Sequence, residues 1–176
     1  MSQEAFDAKD FGLWRLVSKL SDLTLAVSMY LFYPAILVVV CIDVIGRNFF
    51  ATPLSWAIEG SGLFLIGGIF LAAPRVELDR THILLDILYD RYSLKWKRIC
   101  DIITRLVAFF WMAGATVRSA VEIHTSYILL ESGTDFRYPF WPMRTIMTIG
   151  FALVALALIC TIISSIRELR EEGKKA

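Results

Sequence analysis

At 176 residues the chain is sized for one domain, and a composition 57% hydrophobic with only 20% charged residues lies on the apolar side of the soluble norm. The mean hydropathy of +0.61 points to a membrane before any motif is read. A net charge of +1 excludes a basic nucleic-acid binder, because no surplus of Lys and Arg is available to neutralise phosphates.

The first 22 residues are too charged for a secretory signal. Phe11, Leu13, Trp14, Val17 and Leu20 cluster at helical spacing among Lys9, Arg15 and Lys19, which predicts a short N-terminal interfacial helix. Between Asp22 and Asp43 no residue is charged, and twenty residues at ~1.5 Å each cross about 30 Å of hydrocarbon. Pro34 lies within this first span and removes the amide that would bond the Tyr30 carbonyl, so a kink is expected near Tyr30. After the Ala51-Thr52-Pro53 break comes a second span whose only charge before Pro74-Arg75 is Glu59. Its small residues, Gly68-x-x-x-Ala72 among them, leave grooves suited to close helix approach.

From Val76 to Ser93 the chain is too polar to span, and Leu84, Leu85, Leu88, Tyr89 and Tyr92 share one helical face. This predicts an amphipathic helix at the inner surface. The third span carries charge at both ends, with Asp101/Arg105 and Arg118/Glu122 each at i, i+4 spacing around an uncharged run from Leu106 to Val117. A turn-rich, aromatic loop follows, and the last span, from Thr145 to Ile166, is free of charge. The fold class is therefore an all-α integral membrane protein: one membrane domain over residues 1–176, with spans at about 23–46, 55–75, 97–128 and 143–166 and an amphipathic segment at about 78–93.

Four spans put both termini and the Arg75–Arg105 region on one side. That side carries fourteen of the eighteen Lys and Arg residues, against Arg47, Arg118, Arg137 and Arg144 on the other, which predicts cytoplasmic termini.

Glu59, the one acid inside a strong span, is by default a functional candidate. Sixteen residues separate it from Arg75, about 24 Å by helical rise, so it belongs near the outer boundary. Arg47 leaves the first span at a similar level, and an Arg47–Glu59 clasp between two helix ends is the expectation; contact with a partner subunit is the alternative. Arg118 and Glu122 read most simply as an intrahelical pair, and Trp56 and Trp141 as interfacial anchors. His82 and His124 invite a haem or metal reading, but the topology sets them a membrane thickness apart, and no cofactor site is expected in this chain. Cys41, Cys100 and Cys160 read as apolar filler, and no catalytic motif is present.

The hairpin carries a sharper signal. Arg47-Asn48-Phe49-Phe50 leaves the first span, Pro53-Leu54-Ser55-Trp56-Ala57-Ile58-Glu59 enters the second, and Arg80-Thr81-His82-Ile83-Leu84-Leu85-Asp86-Ile87-Leu88-Tyr89 follows it. This order resembles the small membrane (Q-type) subunit of TRAP transporters, the tripartite ATP-independent periplasmic family. One departure is that Gly60 stands where that subunit often has a second acid. The resemblance implies a non-catalytic scaffold subunit of a sodium-coupled uptake system for organic acid anions in the bacterial inner membrane. Its partners would be a large multi-span subunit holding the sodium ions and the substrate, and a periplasmic binding protein. Partner contacts are expected on the small-residue face of the second span and on the third span. A free-standing four-helix transporter and the membrane anchor of another complex remain alternatives.

Overall fold

The first apolar run is helical well beyond its own length. The computed structural model describes residues 12–52, 54, 56–79, 94–133 and 138–175. In it, α1 (Gly12–Val27), a π-helical turn (Ser28–Phe32) and α2 (Tyr33–Phe50) form one continuous rod. The π turn sits where Pro34 withholds its amide: the Tyr33 N–H reaches back to the Ser28 carbonyl, and the wider turn absorbs the missing bond. The expected short N-terminal helix is therefore not separate from the first span. Val17 and Ser21 are fully buried, and Val17 packs on Leu78, Ala157 and Cys160 with Leu13 and Trp14 beside it, so this segment is clasped by other helices. The rod ends at Ala51, which takes a left-handed conformation (φ 53°) and lets the Thr52 N–H close on the Gly46 carbonyl at 3.1 Å.

The second span, α3 (Ala57–Leu78), does not stop at Pro74, where the sequence predicts its end. Pro74 is fully buried, and the carbonyl it leaves unbonded, that of Phe70, lies against Gly150 of the last helix; a Cβ at Gly150 would come within 2.6 Å of that oxygen. A close neighbour without a side chain covers the freed carbonyl, and the helix runs on. The amphipathic helix expected after it falls largely on residues 80–93, outside the described residues.

The third and fourth spans are α4 (Leu94–Ile128) and α5 (Trp141–Lys175), 35 residues each. They are antiparallel and joined through a loop in which Ser132 and Pro139 form an isolated β-bridge. Among the described residues four helices are thus long and apolar enough to cross a membrane, and the chain is an all-α multi-pass membrane protein.

In space the spans are not in chain order. α5 packs on α3 along one side and on α4 along the other, while the first rod packs mainly on α3. The row reads first, second, fourth, third span. The start of α1 and the end of α5, with the end of α3 and the start of α4, lie at one end of the bundle (the terminal end); the Ala51 turn and the α4–α5 loop lie at the other (the hairpin end).

Within each pair of neighbours the charge-free runs are level. The Ser28 hydroxyl meets the Gly68 carbonyl and Asp43 meets Leu54, matching residues 23–42 to the run beside them in α3. Ser119 meets Thr148 and Arg105 meets Thr161 and Ser165, matching residues 106–117 to the middle of α5. Between the pairs they are out of step. Gly67 faces Met143, Phe70 faces Phe151 and Glu77 meets Thr161. The centres of the two charge-free belts therefore differ by about twelve residues, about 18 Å along the common axis.

Candidate functional site

At the hairpin end the first turn is organised by a residue that serves in the sequence only as a boundary. Asp43 is buried; its Oδ1 accepts the Leu54 N–H at 2.9 Å and its Oδ2 takes the Arg47 guanidinium at 2.9 Å. Arg47 therefore pairs one turn back along its own helix, and the expected Arg47–Glu59 clasp is corrected. The reason is register. α2 continues past Arg47 to Phe50, whereas Glu59 lies down α3 opposite residue 37, about 15 Å from the level of Arg47. Glu59 instead faces the α4–α5 loop. Burial, and then the negative charge of Glu59, hold the Tyr138 hydroxyl above the usual tyrosine range. Trp56 precedes α3 and lays its indole over Gly60, where a Cβ would meet ring carbon at 3.2 Å.

The neighbouring hairpin is tied by a chain of four charges. Arg118 Nε bonds Glu122 Oε1 at 3.1 Å within α4. Across the helix boundary Arg144 reaches the other Glu122 oxygen at 3.4 Å and Glu131 at 2.9 Å, and also donates to the Glu122 carbonyl at 3.3 Å. Arg144 is the hub of this set, and no spacing within one helix reveals it. Trp141 meets Tyr127 edge to face at 6.2 Å beside it. His124 is exposed in the last turns of α4, and His82 lies outside the described residues.

At the terminal end three further ties cross between helices. Arg75 of α3 bonds Asp22 at 2.8 Å and Ser18 at 3.1 Å on the first rod, and Asp79 on its own helix at 3.0 Å. Glu77, only 8% exposed, accepts the Thr161 hydroxyl of α5 at 3.1 Å. Arg105 of α4 bonds Asp101 at 3.1 Å and reaches across to the Ser165 hydroxyl at 2.8 Å and the Thr161 carbonyl at 3.3 Å. An interhelical hydrogen bond of this kind contributes about 0.6 kcal/mol in a membrane protein, so the set matters through its number and through fixing register.

The small-residue face of the second span is spent inside the chain. The Gly68 carbonyl accepts the Ser28 hydroxyl at 2.7 Å, and a Cβ at Gly68 would meet Tyr33 at 3.1 Å; one at Gly67 would overlap Phe32 and Met143. Ala72 lies on the same helix, half-buried, one turn beyond. This face takes the first rod and α5, which corrects the expectation that it receives a partner subunit. Among the described residues no group of three or more His, Cys, Asp or Glu side chains is placed to hold a metal ion.

The comparison with protein families bears on what such a bundle is for. The family model described as "Tripartite ATP-independent periplasmic transporters, DctQ component" matches residues 36–168. The chain belongs to that family. Neither the curated proteins nor the solved structures contain a significant match. The matched stretch begins within the first rod just past the Pro34 bend and ends within the last helix, so it takes in the Asp43 turn, the Arg144 cluster, the end of the first span and the other three spans whole. As a member of the DctQ component family, the chain is a part of a TRAP transporter.

Proposed function

We propose that this DctQ-type chain is the non-catalytic scaffold subunit of a sodium-coupled secondary transporter that takes up organic acid anions, and that it packs against and stabilises the large membrane subunit. The observation that supports this most is the use made of its charges. Arg75, Glu77, Arg105 and Arg144 each bind across to a neighbouring helix of the same chain. Side chains committed in this way hold helices in fixed register, and a moving element needs a reference that does not follow it. On this reading the sodium ions and the substrate are held by the large subunit, and a periplasmic binding protein delivers the substrate. The chain stands in the inner membrane with both termini in the cytoplasm, consistent with fourteen of eighteen Lys and Arg on that side.

The test is reconstitution. Liposomes containing this chain alone are expected to show no uptake of any candidate anion. Liposomes with both membrane subunits and the binding protein should take up substrate only with an inward sodium gradient. Transport by this chain alone would overturn the scaffold reading.

A further inference from the structure

The third span presents a face that its own chain leaves uncovered. None of its most apolar stretch is buried within the protein. Ile103, Val107, Phe110, Trp111, Val117 and Arg118 are all exposed along one side, with Trp111 and Arg118 each 76% exposed. Seven residues apart, these two lie on the same helical face. Between them stands Gly114, where a Cβ would meet nothing within 4 Å, so the face carries a notch flanked by an indole and a guanidinium.

Lipid alone is a poor cover for this face. Trp111 lies midway between Arg105 and Arg118, and the contact of Ser119 with Thr148 sets it level with the centre of the charge-free run of α5. Tryptophan belongs at the membrane interface, and at this depth no water or headgroup meets its N–H, which has no hydrogen-bond partner among the described residues. Arg118 lies about 6 Å inside the level of Thr145 by helical rise. Its Nε lies 3.1 Å from Glu122, its one ionic partner among the described residues, and at 76% exposure the five-donor guanidinium keeps room for a further acceptor. The first rod, at the other edge of the row, exposes aliphatic side chains and the Tyr30 hydroxyl, but no cation at such depth. An unmatched hydroxyl costs far less in hydrocarbon than a guanidinium held by a single carboxylate.

We infer that the Trp111–Gly114–Arg118 face of the third span is the seam on which a helix of the large membrane subunit docks. That helix crosses closest at Gly114, places a hydrogen-bond acceptor opposite the Trp111 indole and sets a carboxylate or free backbone carbonyl against the Arg118 fork. The inference rests on the scaffold reading above and names the surface that reading requires.

The experiment uses the two membrane subunits co-expressed and purified together. A photo-crosslinking residue at position 114 is expected to form an adduct with the large subunit, and one at position 37, on the exposed side of the first rod, is not. Gly114→Leu should leave the melting temperature of this chain alone unchanged, because the added side chain meets nothing of its own, while lowering recovery of the large subunit by about tenfold. Adducts from position 37 in place of 114, adducts only with phospholipid at 114, or full recovery with Gly114→Leu would each overturn the seam while leaving the scaffold reading intact. Failure of the unaltered chain to co-purify with any large subunit would overturn that reading and the seam with it.

Discussion

α4 and α5 are equal in length, antiparallel and joined by one loop, yet they stand in opposite circumstances. Of the most apolar eighteen-residue stretch of α5, 44% is buried within the chain; of that of α4, none is. The more apolar stretch, with a mean hydropathy of 2.7 against 1.5, is the one withdrawn from lipid. In water that order would follow from the hydrophobic effect. In hydrocarbon that effect vanishes between helices, and what selects a buried helix is how closely its backbone can be approached and which polar groups it satisfies. α5 offers Gly150 to Phe70 and its Thr161 hydroxyl to Glu77. α4 offers Arg105 inward and then turns Trp111 and Arg118 away. On the inference drawn above, the large subunit covers that face of α4 from outside.

The largest way to break this contrast is at Gly150. In Gly150→Leu the new side chain runs into the Phe70 backbone, which cannot rotate aside, and a loss of about 3 kcal/mol or outright misassembly is expected from overpacking. Thermal unfolding in detergent and the monodispersity of the eluted protein measure it, and a melting temperature equal to that of the unaltered chain would contradict the packing described. A smaller effect separates the two arginines of α4. Arg105→Met removes ties to Asp101, Ser165 and Thr161 and should cost about 2 kcal/mol in the chain alone. Arg118→Met, losing one exposed pair, should cost within about 0.5 kcal/mol in the same melt. Equal losses would erase the distinction between an inward and an outward arginine. The smallest effect belongs to the first hairpin. Ala51 holds φ 53° at the end of the rod, a conformation glycine adopts freely, so Ala51→Gly should raise stability by about 0.5 to 1 kcal/mol, read as a small upward shift of the same transition.

What the sequence made legible follows from what periodicity encodes. Runs without charge located the four spans, and the residues from Arg47 to Tyr89 carried the resemblance to the family whose model matches the chain. A missing donor at Pro34 was enough to locate the irregularity of the first span, though not its form as a π turn. Periodicity assigns a residue to a face and is silent about the level of that face against its neighbour. Arg47 and Glu59 match in level when each is counted from its own span end, and they part because α2 runs on to Phe50. Arg144 had no partner at i±3 or i±4 that would mark it, because Glu122 and Glu131 belong to other parts of the chain. Pro74 signalled an end because the sequence does not show that Gly150 lies beside the carbonyl it frees.

The offset between the two hairpins has a consequence for the surrounding lipid. A flat hydrocarbon slab about 30 Å thick, laid square across the helix axes, covers one charge-free belt and leaves charged rings of the other inside it. Without the large subunit to cover it, the chain would stand aslant in a flat bilayer, or the bilayer would step where it meets the flank. Either way lipid presses differently on the two sides of the row. A change in membrane thickness would then act on this chain as a torque, felt at the α3–α5 contact that joins the two halves.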